Sequence, residues 1–470
     1  MRKINIEIAR DEARHWHELL LPRLRAAGFA ATLVPLDVPA PRSALDGVLR
    51  LEARRFGASL ASRMAPPADT AAGPADLVID LSGQTPAPGA VPRLHLTING
   101  QPDLAGGIAA ILATGTLPEL VLWHDQTPIG VARPMLSDRL WLSRLGDELL
   151  AGAVALIEQG VKRHFSGQLV PQHPAPAATG RRHGFLRFYL PHAAAHAAGR
   201  LWHKLTRRRP FYWQVFYRPA DGADAAFTAL DDDGERFYAD PFALERDGRT
   251  YLFVEEFPYA LGRGIISVSE RGADGSFSRP RSVLEEPHHL SYPQVFTQGD
   301  SVFMLPESGG AGRLVLYRAT AFPHDWVADT VLLDGIDIND ATLVEHAGRF
   351  FLFGTQRIGP GSASDMLVVY GAPALRGPWT PHPLNPIAID RAGARPGGAI
   401  VRTGDRLWLL VQDGTHAYGG GLGRREILQL DDSDVRLGPV EPLDLGPAWR
   451  GAGIHTRNHA GGLEFVDSAG

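Results

Sequence analysis

The chain contains no cysteine, and that absence removes disulfides, thiolate metal sites and cysteine nucleophiles together. It also lacks any run of 18 or more apolar residues, so a membrane-spanning helix is not expected. Its formal net charge is only -5, too little for a chain that binds nucleic acid through its overall field. Any anion-binding surface must be local. The opening Met1-Arg2-Lys3-Ile4-Asn5-Ile6-Glu7-Ile8 alternates polar and apolar residues. It reads as a first strand rather than a signal peptide, which makes the cytoplasm the expected location. What remains is 44% hydrophobic and 21% charged over 470 residues. That is a globular balance, and the length suggests two domains.

The first 165 residues follow a strand–helix–strand grammar: Ile4 to Ile8, Trp16 to Ala27, Ala31 to Val34. Leu77-Val78-Ile79-Asp80-Leu81 is a buried-strand pattern, and Leu140 to Val161 carries apolar residues at helical spacing. An α/β domain with an open, largely parallel sheet is expected there. Residues 166–211 then form a linker rich in Pro, Ala and basic residues. From Gln159 to Gly222 the one acid is Asp221, against Lys162, Arg163, Arg181, Arg182, Arg187, Arg200, Lys204, Arg207, Arg208 and Arg209. Trp202, Phe211, Tyr212 and Trp213 are interleaved with or follow these charges. Two readings stand: a solvated connector whose aromatics pack on the next domain, or a basic element that meets an anionic membrane or a phosphorylated ligand.

From residue 212 onward short β runs recur at about 50-residue spacing, the signature of propeller blades. Five units align. Asp240-Pro241-Phe242 leads to Tyr251–Glu255, Tyr292-Pro293-Gln294 to Val302–Glu307, and Asn339-Asp340-Ala341 to Phe350–Phe353. Gly397-Gly398-Ala399 leads to Leu407–Val411, and Gly453-Ile454-His455-Thr456 to Leu463–Asp467. In the first four units a Gly sits in the connecting turn, as a tight hairpin requires. The expected fold is therefore an N-terminal α/β open-sheet domain followed by an all-β five-bladed propeller over residues 212–470.

Blade-start motifs converge on the axis of a propeller. Asp240, Glu307, Asp340, Arg395, Gln412, Asp413, Tyr418 and His455 are candidates for its mouth, with His289 and Tyr292 near the rim of the second blade. Several carboxyls in one mouth suit glycoside chemistry, in which one stays ionised, one is kept protonated and a third tunes them. Asp240 is expected as base or nucleophile, Glu307 as proton donor and Asp340 as modulator. Arg395 suits an anionic substituent of the sugar. The plain alternative is that Asp at a strand head caps the neighbouring turn. Glu255-Glu256 and Asp231-Asp232-Asp233 read as solvated turns.

Tyr238-Ala239-Asp240-Pro241-Phe242, His289-Leu290-Ser291-Tyr292-Pro293, Pro306-Glu307-Ser308, Gly377-Pro378-Trp379, Gln412-Asp413 and Gly453-Ile454-His455-Thr456 occur in one order. In this the second half resembles the N-terminal propeller of the glucosamine inositolphosphorylceramide transferase family and, more distantly, the five-bladed arabinanase and xylosidase group of glycosidases. The resemblance implies a role in glycan or glycolipid assembly with a sugar or glycolipid substrate. In the plant transferases a glycosyltransferase domain follows the propeller, whereas this sequence ends at Gly470. Catalysis at the propeller, a non-catalytic glycan-binding scaffold and a partner glycosyltransferase thus all stay open. No cofactor is implied, although His455 is placed either to bind an axial ion or water, as a histidine does in those glycosidases, or to be satisfied in the core.

The stretch Asp76 to Gly83, with His95-Leu96-Thr97-Ile98-Asn99-Gly100 and Ala105-Gly106-Gly107, resembles a degenerate folate-dependent formyltransferase domain. His95 would match the catalytic histidine, with Asn99 beside it. The preceding asparagine and the later Asp-x-Gly segment of that family are missing, so a remnant is weighed against formyl transfer to an amino sugar.

Overall fold

The computed structural model describes residues 1–39, 43–65, 73–84, 90–138, 140–174, 185–206, 212–222 and 225–469. The chain divides into two compact units, Met1–Arg208 with Ile358–Ser362, and Arg209–Arg357 with Ala363–Gly470.

The first unit holds one six-stranded mixed sheet. Its strands are β1 (Lys3–Ala9), β2 (Ala30–Leu36), β3 (Leu77–Leu81), β4 (Arg93–Ile98), β5 (Leu120–His124) and β6 (Thr127–Ala132), in the order β2-β1-β3-β4-β5-β6. The pairs among β2, β1, β3 and β4 are parallel, while β4-β5 and β5-β6 are antiparallel. The helices are α1 (His15–Ala26), α2 (Leu45–Phe56), α3 (Leu104–Thr114), α4 (Leu142–Ser166) and α5 (Phe185–Thr206). Ile4, Ile6 and Ile8 are fully buried, as the alternation in the first eight residues requires. The start of α4 is capped from another helix, since the Glu52 carboxylate accepts from the Leu142 and Ser143 amides at 3.1 and 2.7 Å. Within the span expected as linker, Phe185–Thr206 is helical. Arg181, Arg182, Arg207, Arg208, Arg209 and Phe211 lie outside the described residues.

The second unit is a five-bladed β-propeller, one sheet to a blade. Strands β7 (Trp213–Pro219) and β8 (Thr228–Ala229) come first in the chain but belong to the last blade. Blade one is β9 (Arg236–Arg246), β10 (Arg249–Pro258), β11 (Ile265–Glu270) and β12 (Arg281–Leu284). Blade two is β13 (Ser291–Gln298), β14 (Ser301–Glu307), β15 (Arg313–Ala321) and β16 (Asp325–Asp334). Blade three is β17 (Ile338–His346), β18 (Arg349–Gln356), β19 (Met366–Ala372), β20 (Thr380–Pro381) and β21 (Ala388–Ile389). Blade four is β22 (Val401–Thr403), β23 (Arg406–Gln412), β24 (Leu422–Leu430), β25 (Val435–Leu437) and β26 (Glu441–Pro442). Blade five pairs β27 (Arg457–Ala460) and β28 (Leu463–Ala469) with β7 and β8.

That last pairing closes the ring and leaves no open sheet edge between the chain ends of the propeller. A buried ion cluster fixes it, because Glu464 on β28 takes Arg218 of β7 and Arg457 of β27, each at 2.6 Å. Hydrophobic clusters fill the gaps between blades. One joins Phe242, Phe253 and Ile266 of blade one to Val295 and Met304 of blade two. Another joins Phe351 and Phe353 of blade three to Leu407 and Leu409 of blade four.

Candidate functional site

The inner hairpins of the first three blades share one local device. Asp240, Tyr292 and Asp340 each have a left-handed backbone, with φ of 49, 47 and 49°. Each sits at a register shift between its first two strands, opposite Phe253–Glu255, Leu305–Glu307 and Phe353–Thr355 respectively. Such a bulge re-aims a side chain that the plain alternation of a strand would leave on the blade face. The second strands carry Glu255, Glu307, Thr355, Gln412 and Asp467 at equivalent positions in their last few residues. These five positions thus supply three carboxyls, and bulged residues of the first strands supply two more.

These elements surround a cavity of about 650 Å³ whose lining includes Trp213, Phe237, Phe257 and Tyr259 as an aromatic wall. Of the sequence-predicted residues, Asp240, Glu307, Arg395, Tyr418, His455 and His289 line it. Asp340, Tyr292 and Gln412 are buried behind that surface. Asp413 is outside the lining, where its Oδ1 accepts from the Thr415 amide at 2.8 Å. Tyr292 is a strut rather than a contact surface. Its hydroxyl lies 2.9 Å from Thr342 Oγ1 and accepts from the Gly398 amide at 2.6 Å, tying blades two, three and four together.

Two closed polar networks lie at the axis. In the first, Arg395 grips Asp340 with Nε–Oδ2 at 2.6 Å and Nη2–Oδ1 at 3.1 Å, a two-point ion pair. Gln412 Nε2 donates to Asp340 Oδ2 at 2.5 Å, Glu307 Oε2 accepts from the Asp340 amide at 2.8 Å, and Arg395 Nη1 reaches Ser364 Oγ at 3.1 Å. Burial opposes the charge on Asp340, but Arg395 outweighs it and holds the carboxyl below its usual range. Glu307 is pushed well upward, first by burial and then by Asp340. The guanidinium expected to hold an anionic substituent is therefore already neutralised inside the protein.

In the second network Asp467 Oδ1 accepts from the His455 and Thr456 amides at 3.0 and 2.9 Å, and its Oδ2 from the Asp240 amide at 3.0 Å. Asp240 is likewise engaged at both oxygens, by the Tyr292 amide at 3.1 Å and Thr456 Oγ1 at 2.7 Å. His455 stacks on Trp213 at 3.9 Å between centroids. Its Nδ1 is 2.5 Å from Asp467 Oδ2 and its Nε2 3.7 Å from Asp240 Oδ1. Burial alone would discharge the imidazole, yet Asp467 and Asp240 raise it to about 9. Asp240 is itself raised to about 6 by burial, with the Asp340 and Asp467 charges acting in the same direction. These three residues are the described group able to hold a cation, with candidate ligand atoms within 4.8 Å of one another. An imidazolium between two carboxylates already supplies positive charge there.

Sequence reasoning missed two acids. Glu255, expected in a solvated turn, is buried and lines the cavity. Burial, followed by Asp240, Glu307, Asp340 and Asp467, pushes its carboxyl well upward. Its neighbour Glu256 is also buried, against Ser267 Oγ at 2.5 Å and Arg236 Nη1 at 2.5 Å. Asp467, read as a plain strand end, anchors the second network. The signal was the shared pattern late in the second strands, Val254-Glu255, Pro306-Glu307, Val411-Gln412 and Val466-Asp467.

In the first unit His95 stacks on Trp123 at 5.9 Å, and burial lowers its pKa. Asn99 has φ of 48° and spends its amide on the turn: Oδ1 accepts from the Glu119 amide at 2.9 Å and Nδ2 donates to Thr116 Oγ1 at 3.2 Å.

Residues 225–458 match the family model of glucosamine inositolphosphorylceramide transferase 1, N-terminal. The glucosamine inositolphosphorylceramide transferase 1 of Arabidopsis thaliana is 32% identical over 219 residues, covering 46% of this chain and 28% of that protein. The same-named protein of Oryza sativa subsp. japonica is 33% identical over 231 residues, covering 47% of this chain and 30% of that one. The chain thus spans less than a third of the length of these relatives. Among solved structures, an exo-beta-1,3-galactanase from Clostridium thermocellum is 11% identical at a TM-score of 0.36, covering 50% of this chain and 64% of that one. A GH43_1 enzyme from Xanthomonas citri complexed with xylotriose is 14% identical at 0.35, covering 48% and 81%. The family match lies in the propeller, and the formyltransferase resemblance of residues 1–165 finds no support in it.

Proposed function

We propose that the axial cavity takes a sugar and acts on its glycosidic or sugar-phosphate bond by carboxyl acid/base chemistry, in the assembly of a glycan or glycolipid. The observation that carries this is the convergence of Asp240, Glu255 and Glu307 on one aromatic-walled cavity. Their environments differ in the way such chemistry needs: burial pushes the two glutamate carboxyls well above their ordinary range, while Asp240 is raised to about 6. Asp240 is the base or nucleophile, a cavity glutamate is the acid, and Asp340 tunes Glu307 through its charge. The relatives' name, which includes inositolphosphorylceramide, supports a glycolipid as substrate.

A screen of nucleotide-sugars and aryl glycosides with the purified protein tests the reading, together with Asp240→Asn. That variant should fold normally and lose turnover by about 10²-fold or more. Undiminished turnover in it removes the base assignment. One observation favours a second reading, a non-catalytic glycan-binding module: both Asp240 oxygens are held by internal donors. Sugar binding in thermal-shift assays without any turnover would select it.

The helix α5 is the proposed contact with an anionic membrane. Leu201, Trp202 and Leu205 are 58, 68 and 69% exposed and fall on one side of a helix of 3.6 residues per turn. The sequence around them is basic.

A further inference from the structure

Of the carboxyls around the axis, Glu255 and Glu307 each keep an oxygen that no described donor reaches. Asp240, Asp340 and Asp467 have both oxygens taken by internal donors. Glu307 Oε2 accepts from the Asp340 amide at 2.8 Å and lies 3.4 Å from Arg395 Nη2, contacts that favour its ionised form over a proton donor's. Glu255 accepts no hydrogen bond from any described backbone or side-chain donor besides its one polar contact. That contact is His289 Nε2, 3.3 Å from its Oε1.

The histidine is fixed in orientation and tautomer. The Gly264 amide donates to His289 Nδ1 at 2.8 Å, which makes Nδ1 the acceptor and leaves the ring proton on Nε2, facing Glu255. Partial burial, aided by His288, lowers the pKa of the ring. Gly264 also lets the pair meet, since a Cβ there would lie 2.7 Å from His289 Cε1, 2.9 Å from Glu255 Oε1 and 2.4 Å from the Leu290 carbonyl oxygen. His289 is 42% exposed, so the pair spans from cavity to solvent.

We propose that Glu255 is the proton donor of the cavity and that His289 is its positioning residue. This rests on the catalytic reading above. With Oε1 facing Nε2–H, the acidic proton of Glu255 occupies Oε2. The Oε2–H bond breaks as the proton passes to the leaving-group oxygen. That oxygen keeps the electron pair of the bond it loses, and His289 Nε2–H stabilises the resulting carboxylate. Where Asp240 acts as base it takes the proton shed by the attacking water or hydroxyl, and exchange with solvent returns one proton to Glu255; where Asp240 is the nucleophile, the Glu255 carboxylate itself takes that proton in the second step.

Two aryl glycosides of the sugar that the wild-type protein turns over test this, one releasing phenol, which needs the proton, and one 2,4-dinitrophenolate, which leaves without protonation. Glu255→Gln should lower kcat on the phenyl glycoside by about 10²–10⁴-fold and on the dinitrophenyl glycoside by about ten-fold or less. His289→Ala should show the same bias with KM little changed, and His289→Gln, which restores an N–H, should recover part of the loss. Equal losses on both substrates, or the bias appearing with Glu307→Gln instead, would overturn the assignment. A wild-type protein that turns over neither class removes the catalytic reading itself, a distinguishable outcome. Independently of turnover, ¹⁵N spectra of histidine-labelled protein, assigned with His289→Ala, should show the Nε2–H tautomer. An Nδ1–H tautomer overturns the geometry.

Discussion

Replacing Arg395 by Met tests how the axis tolerates its carboxyls. The guanidinium is 10% exposed and Asp340 3%, so the substitution strands a buried carboxylate that had been held at 2.6 and 3.1 Å. Breaking a buried pair on one side costs about 3–5 kcal/mol, mostly the penalty of the charge left behind. Removing both partners costs less, so Arg395→Met with Asp340→Asn should recover about 2 kcal/mol or more of the loss. The pH dependence has a definite sign. In the wild type the depressed Asp340 carboxyl contributes stability above its ordinary value of about 3.9 that is lost as pH falls through the folded value. In Arg395→Met, burial is no longer outweighed, so the folded value rises and protonation relieves the penalty as pH falls. The deficit should therefore be largest near pH 7.5 and shrink towards pH 4.5. Urea unfolding of the full chain followed by tryptophan fluorescence reads this. A loss under about 1 kcal/mol at pH 7.5, or a double variant as unstable as the sum of the singles, would refute the account.

His455, raised to about 9 and faced by Asp467, Asp240 and Asp340, contributes stability that is complete below about 6.5 and lost as pH rises to about 9. Thermal unfolding across that window should show a fall in Tm that His455→Gln flattens, and parallel curves would contradict it. Gly419 has φ of 70°, and a Cβ there would lie 2.2 Å from Trp213 Cη2. Gly419→Ala should then cost about 2–4 kcal/mol through backbone strain and a displaced indole, and an unchanged Tm would count against that packing. For the membrane proposal, Leu201→Ser, Trp202→Ser and Leu205→Ser together should reduce co-sedimentation with anionic vesicles, and binding should weaken with salt. Equal recovery on neutral and anionic vesicles sinks it.

The sequence by itself determined the blade count. A hairpin repeat at about 50-residue spacing leaves a chain few other ways to bury its strands, and the motif order over residues 238–456 carried the family resemblance. It also placed Asp240 and Glu307 at the mouth, because strand ends of a propeller face the axis. Tertiary structure alone decided which acids face the cavity and which serve the fold. Glu255 and Glu256 look like a solvated pair because adjacent charges usually are. In a blade covered on both faces, period-two alternation sends one to the cavity and the other to Ser267 and Arg236. Tyr292 looked like a rim contact but its hydroxyl bridges three blades, and Asp413 looked axial but caps a turn. Closure of the ring by Trp213–Pro219 against Leu463–Ala469 joins segments about 250 residues apart. No local pattern encodes that contact, and the second network depends on it: Asp467, on the strand that β7 completes, is what fixes His455 and the backbone of Asp240.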